Sequence, residues 1–100
     1  MSQVQHVVLV KFKAGHDGLA PPLFAALADL KVKLPGMLAY RFGPNSSPEG
    51  LNQGFTHGFV MSFADAAARD AYLVHPDHEA VKAKYLPFVE KVLVFDFEGY

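Results

Sequence analysis

The sequence has no cysteine in its 100 residues and no large excess of charge of either sign. The lack of cysteine excludes disulfide bonds, thiol catalysis and metal sites with cysteine ligands. Nine Lys and Arg stand against ten Asp and Glu, so there is no basic surplus to neutralise phosphates and we expect no nucleic-acid partner. No apolar run approaches the ~20 residues that cross a bilayer, so we expect no membrane partner.

The composition is that of an ordered chain with a substantial core. Hydrophobic residues make up 51% of the sequence, with nine Phe and four Tyr. A chain of this length usually forms one domain, here 1–100. The apolar N-terminus lacks a basic leader and a small-residue cleavage site, which favours a strand over a signal peptide. A cytoplasmic location fits this pattern.

Hydrophobic periodicity divides the chain into strands and helices. The strand-like segments are rich in Val and Phe, whereas Leu recurs at helical spacing between a pair of prolines and Pro35-Gly36. In the second strand, Leu38, Tyr40 and Phe42 are predicted to share one face. The predicted strands are 4–13, 37–43, 55–63 and 89–97, and the predicted helices are 23–34, 65–73 and 76–85.

This order predicts an α+β fold of the ferredoxin-like β-α-β-β-α-β plan. A four-stranded antiparallel sheet would carry its helices on one face. The first and last strands are nevertheless apolar on both faces, so we expect a homodimer that pairs through the sheet face and buries Val7, Leu9 and Val60. The alternative is a monomer with an exposed apolar face, which would favour aggregation.

Two histidines lie on the apolar faces of neighbouring predicted strands. His6 and His57 have compatible parity, so they could share a pocket, although each could equally be a buried core histidine with one hydrogen bond. His16 lies in a polar turn and is expected to be solvated. The walls of a shared pocket would come from aromatic residues of the same parity, which are Phe12, Phe59 and Phe63.

The most unusual segment is 72–78, with the sequence YLVHPDH. If Pro76 begins a helix, His78 lies in its first turn, where the positive end of the helix dipole disfavours imidazolium. A neutral imidazole can act as a general base near pH 7. Tyr72, at the end of the preceding helix, would supply a phenolic hydroxyl. The alternative is a helix-junction cap, with Asp77 favourable at the helix start.

A metal site is the chief rival interpretation of these histidines. His75 and His78 are three positions apart, and His6 and His57 could complete a ligand set. Pro76 disturbs the helical spacing of the first pair, so we expect no metal. The chain lacks a phosphate-binding glycine loop and a GxSxG nucleophile motif. We expect no cofactor.

Four stretches together resemble a known family. They are HVVLVKFK near the start, LPGM after the first helix, FTHGFVMSF in the third strand and AYLVHPDH in the second helical region. The pattern resembles the stress-responsive A/B barrel domain family over nearly the whole chain. The resemblance implies a ferredoxin-like subunit that pairs into a dimeric α/β barrel.

The resemblance also implies roles for individual residues. Many members have no established reaction, and some plant members are stress-induced. One plant member closes a linear polyketide by an intramolecular aldol condensation. By motif, its acid/base residues fall on Tyr72 and His78, and its supporting histidines fall on His6 and His57.

Two positions depart from that cyclase and leave the function open. Leu27 stands where the cyclase has a tyrosine, so Leu27 would reshape the pocket, and Gly58 follows the third-strand histidine. The first hypothesis is a stress-response protein whose small histidine-lined apolar pocket binds an apolar or aromatic ligand without turnover. The second is a cyclase-like lyase or isomerase that uses the Tyr72 and His78 pair. A third is a cofactor-free monooxygenase, by analogy of fold alone.

Overall fold

The computed structural model of the protein describes residues 2–99. The strands and helices follow the predicted order, with the second helical region divided at His75. Short 3₁₀ turns at Asp17–Leu19 and Leu86–Phe88 precede the first helix and the last strand. The elements are β1 (Val4–Phe12), α1 (Ala20–Lys33), β2 (Met37–Pro44), β3 (His57–Phe63), α2 (Ala66–Leu73), α3 (Pro76–Tyr85) and β4 (Val89–Glu98).

The four strands form one antiparallel sheet in the order β2-β3-β1-β4. The first strand, β1, is therefore central, and Val8 in its middle lies opposite both Phe59 of β3 and Val94 of β4. The ferredoxin-like fold predicted from the order of elements is confirmed. Within residues 2–99, no helix has the length and hydropathy of a bilayer-spanning segment.

One face of the sheet carries the core. Along β1, burial alternates residue by residue, because successive side chains of a strand point to opposite faces. The buried set faces α1, whose Leu23, Leu27 and Leu30 recur on one helical face. Both Tyr72 of α2 and Tyr85 of α3 join the same cluster.

The start of β2 corrects one prediction. A register shift between Met37 and Ala39 places Met37, rather than Leu38, opposite the buried Phe63. Met37 is 2% exposed and Leu38 is 47% exposed. Such a bulge inserts one unpaired residue and changes the parity of what precedes it, a change that strict alternation in the sequence does not reveal.

The opposite face of the sheet is left open by the helices. It carries a row of apolar side chains, which we call the open face, with Val7 and Leu9 of β1 half-buried between their neighbours. Its more exposed members are Val60, Leu93, Phe95 and Phe97. Gly58 lies beside Leu9 on this sheet, and a side-chain Cβ there would lie 3.3 Å from the Val8 carbonyl oxygen. Gly58 therefore lies where the backbone of the neighbouring strand approaches closely, a common reason for a glycine inside a strand.

Candidate functional site

A cavity of about 260 Å³ lies between the core face of the sheet and the helices. Benzene needs ~150 Å³, so this volume suits a small substituted ring. Most of the walls are aliphatic or aromatic, and the polar groups are few. The lining residues include Val8, Val10, Leu23, Leu27, Phe59, Val81, Val92 and Val94, with His6, Tyr72, His78 and Lys82 as the main polar groups.

Tyr72 lies in the last turn of α2 and is 1% exposed. Its ring centroid is 4.2 Å from that of His78 and 5.6 Å from that of His6. Burial raises the pKa of the Tyr72 phenol, with a smaller contribution from Tyr40. Tyr72 therefore stays protonated at neutral pH, so its hydroxyl can donate a hydrogen bond to a ligand oxygen.

The position of His78 follows from the start of α3. His75 is the extended N-cap and Pro76 takes the first helical position, so His78 falls in the first turn and is 9% exposed. Its Nδ1 donates to the carbonyl oxygen of Leu73 at 3.1 Å, because a carbonyl can only accept. Nε2 is therefore the nitrogen without a proton when the ring is neutral.

The electrostatic environment of His78 favours the neutral ring. Burial is the main cause that lowers the pKa of His78, and the nearby Lys82 lowers it further. The hydrogen bond to Leu73 acts in the opposite direction but is outweighed. The direction matches the prediction, although the prediction rested on the helix dipole whereas the structure assigns the shift mainly to loss of solvent.

The ring of His6 is oriented by an ion pair between Asp96 and Arg69. Its Nδ1 lies 2.7 Å from Oδ1 of Asp96, which follows the apolar run of β4. The other oxygen of Asp96 accepts from Nη1 of Arg69 at 2.8 Å. Since the carboxylate accepts the Nδ1 proton, Nε2 is again the nitrogen left for a ligand.

His57 lies away from the cavity, which corrects the expectation of one pocket with two histidines on its floor. His6 lies opposite Met61, whereas His57 lies opposite Val10, four positions further along the same ladder. At ~3.3 Å per residue this separates the two backbones by roughly 13 Å. His57 bonds to the Thr56 hydroxyl at 2.9 Å instead. The alternation along the strands places both histidines on the same face of the sheet, but it does not bring them close together along that face.

Only some of the residues predicted to form the walls of the pocket line the cavity. Phe59 and Leu27 line the cavity. Phe12 and Phe63 do not: Phe12 packs against His57 with ring centroids 5.8 Å apart, and Phe63 packs against Tyr72 at 5.4 Å. Both are buried, so these two phenylalanines pack behind the residues that line the cavity and would not contact a ligand there.

The four histidines proposed as a rival metal site do not form a ligand set. His75 uses its Nδ1 to accept the backbone N–H of Asp77 at 3.1 Å, so it caps α3. His16 stacks on Phe88 with ring centroids 5.1 Å apart, so it is partly covered rather than fully solvated. Among residues 2–99, no three His, Asp or Glu side chains are arranged to hold a metal ion.

Sequence reasoning missed Asp96, Arg69 and Lys82. A signal for Asp96 was present, because this carboxylate interrupts the apolar run VLVFDFE of β4. Asp96 shares the strand face of Val92 and Val94, where a lone carboxylate needs a charged or hydrogen-bonding partner. Lys82 follows His78 by four residues, which places both on one face of a helix. Arg69 carried no such signal, because an arginine on a surface helix is ordinary.

The sheet order and the helices on one face define a ferredoxin-like subunit. The chain belongs to the stress responsive A/B barrel domain family, whose family model matches residues 4–99.

Relatives and solved structures agree with this assignment over nearly the full chain. The stress-response A/B barrel domain-containing protein HS1 of Arabidopsis thaliana is 35% identical to this chain. The match spans 95% of this chain and 88% of the length of HS1. Olivetolic acid cyclase of Cannabis sativa is 26% identical and covers 94% of both chains. A dimeric ferredoxin-like protein of unknown function from Jannaschia sp. CCS1 superposes with a TM-score of 0.89 at 30% identity, over 97% of this chain and 99% of that one.

Proposed function

We propose that this chain is an acid/base enzyme of the lyase or isomerase class that acts on a small apolar carbonyl compound bound in the cavity. One observation carries the proposal: the buried rings of Tyr72 and His78 lie 4.2 Å apart at an otherwise apolar cavity. The pKa of His78 is lowered and that of Tyr72 is raised. The pair therefore offers a neutral base and a neutral hydrogen-bond donor at the same pH.

The chemistry follows from the two protonation states. Nε2 of His78 would remove a proton from the carbon next to the ligand carbonyl. The electron pair of the broken C–H bond moves to the carbonyl oxygen, where the Tyr72 hydroxyl stabilises the developing negative charge. The apolar walls exclude water, which strengthens both interactions. Return of the proton to another atom, or attack of the enolate on a second carbonyl, completes an isomerisation or a ring closure.

The relative named olivetolic acid cyclase supports a ring-closing variant of this reaction. By motif, the acid/base residues of that cyclase would fall on Tyr72 and His78. Leu27 lines the cavity where the cyclase has a tyrosine, so the ligand here would meet a more apolar wall. For that reason we carry over the reaction class and not the substrate.

We further propose that the active form is a homodimer that pairs through the open face. The support is the row of exposed apolar side chains there, including Val60 and Phe95, together with the dimeric state in the description of the Jannaschia structure. The cavity lies on the opposite side of the sheet, so pairing would leave it accessible. A cytoplasmic location and the lack of a nucleic-acid partner stay predictions.

A hydrogen-exchange assay tests the proposed reaction without knowledge of the substrate. The probe is 4-phenylbutan-2-one in D₂O, a ketone with a benzene ring that is close to the cavity in size. We expect the protein to accelerate exchange of the protons beside the carbonyl above the buffer rate, as followed by NMR. A positioned general base contributes typically ~10²–10⁴-fold, so His78→Ala should return exchange to near the buffer rate and Tyr72→Phe should slow it less.

Matched controls separate chemistry from folding. His16→Ala removes a histidine outside the cavity, and Tyr40→Phe removes a phenol that bonds to the Phe24 carbonyl, also outside it. Both controls should retain exchange. If the probe shifts the resonances of Tyr72 and His78 but exchanges at the buffer rate, the chain is a ligand-binding module instead.

A further inference from the structure

Lys82 is a cation on the wall of an apolar cavity. It lines the cavity together with aliphatic side chains and is itself only half-buried. No Asp or Glu side chain is among the cavity-lining residues of the described part of the chain. Apart from the histidines, Lys82 is therefore the charged group that a ligand in this cavity would meet.

The helix α3 explains why Lys82 lies beside the candidate base. His78, Val81, Lys82 and Tyr85 are spaced at i, i+3, i+4 and i+7, so they form one stripe, and all four line the cavity. Lys82 follows His78 by one helical turn, which is ~6 Å along the axis. The two are close enough that the charge of Lys82 lowers the pKa of His78.

The ammonium group of Lys82 is not strongly committed elsewhere. Its Nζ lies 2.9 Å from Oε1 of Glu79, and both side chains are about half exposed. Exposed ion pairs at this spacing on a helix contribute little to stability. A ligand anion at the cavity could therefore replace Glu79 as the partner of Lys82 at little cost.

We infer that the ligand is a small apolar carboxylic acid whose carboxylate pairs with Lys82 while its apolar part fills the cavity. This inference rests on the proposed function and names its substrate class. With a reacting carbonyl at Tyr72 and His78, the carboxylate would lie about one helical turn, ~6 Å, away. A keto acid with a few carbons between its two polar groups has this geometry.

A carboxylate fits this wall better than a phosphate group does. Phosphate sites use several backbone N–H groups at a helix N-terminus or several cations. Here one lysine faces the cavity, in the second turn of α3, where the backbone N–H groups already bond within the helix. The single positive charge of Lys82 balances the single negative charge of a carboxylate.

Two probes that differ mainly in charge test the inference. 3-Phenylpropanoate and 3-phenylpropanamide have the same number of non-hydrogen atoms, and their affinities can be measured by NMR titration of the full chain. We expect the wild type to bind the carboxylate more tightly. Lys82→Met keeps the length of the stem and should weaken carboxylate binding by roughly 10-fold, the low end for loss of a hydrogen bond to a charged group, because Lys82 is half exposed. Amide binding should not change.

The controls assign each outcome. Lys31→Met removes an exposed charge from α1, away from the cavity, and should change neither affinity; Lys82→Arg should keep the preference. If the amide binds as tightly as the carboxylate, or if Lys82→Met weakens both equally, Lys82 only covers the wall with its stem and the inference is overturned. If neither probe shifts Tyr72 or His78, the cavity is not a ligand site and the proposed function fails as well.

Discussion

Asp96 fixes the position of His6, which lines the cavity. Its carboxylate accepts from His6 on one oxygen and from Arg69 on the other, at 2.7 and 2.8 Å. Asp96 is partly buried, and a carboxylate with two charge-compatible partners is strongly oriented and fixes the ring that it holds. His6 is therefore a positioned polar group beside Tyr72, with its Nε2 free for a ligand.

The separation of His6 from His57 shows what residue patterns can and cannot predict. Alternation along each strand predicted that both lie on the core face, and both do. Distance along the ladder depends on which residues pair across two strands, and that register is set by tertiary packing and the intervening loop. The sequence therefore predicted the face correctly and the shared pocket wrongly.

At the scale of elements, the break between α2 and α3 builds the acid/base pair. Tyr72 ends one helix and His78 begins the next, and the extended His75 between them turns the chain. Pro76 causes the break, because the residue before a proline avoids the helical region. Since this effect is local, the bounds of α3 could be predicted from the sequence. The bulge in β2 could not, because it depends on the partner strand.

The contact between α2 and the start of β2 gives a test of element packing. A Cβ on Gly36 would lie 2.5 Å from the Cβ of Ala68, closer than two carbons can approach. Gly36→Ala should therefore push α2 away from the sheet and lower the free energy of unfolding by about 1–3 kcal/mol, as overpacking usually does. Urea denaturation followed by circular dichroism measures this change.

Gly18→Ala is the matched control for this prediction. A Cβ at Gly18 meets no atom within 4 Å, and Gly18 is not in the left-handed region. Its stability should stay within about 0.5 kcal/mol of the wild type, as for most surface changes. Equal stability of both variants would mean that α2 is not packed against Gly36 as described.

At the scale of the whole molecule, the open face predicts the oligomeric state. Size-exclusion chromatography with light scattering should give twice the 10.9 kDa chain mass at micromolar concentration. Phe95 is 61% exposed and lies outside the core cluster. Phe95→Asp should therefore yield a folded monomer, because pairing would bury an unpaired charge.

A change of the same kind away from the open face provides the control. Val32 on α1 is 86% exposed, and Val32→Asp should leave the dimer intact. A wild type that elutes as a monodisperse monomer would refute pairing through this face. Leu9→Asp, nearer the centre of the sheet, should dissociate or unfold the protein.

The fold was predictable from the sequence because three independent signals agreed. Hydrophobic period, turn residues and element order all predict one ferredoxin-like subunit. The apolar pattern on both faces of β1 and β4 further predicted a sheet-to-sheet partner. The cavity was less predictable: its walls come from residues far apart in the chain, and Lys82 enters it only because the fold brings α3 and β1 to the same cavity.

The protonation of His78 at neutral pH is the most direct test of the proposed acid/base chemistry. Nitrogen-15 NMR of the histidine rings reports both the pKa and which nitrogen carries the proton. The pKa of His78 should lie below the ordinary value of 6.5, because burial disfavours the charged ring. The neutral form should carry its proton on Nδ1, which donates to Leu73, and leave Nε2 bare. A ring that is charged at pH 7, or one protonated on Nε2, would contradict the assignment of His78 as the base.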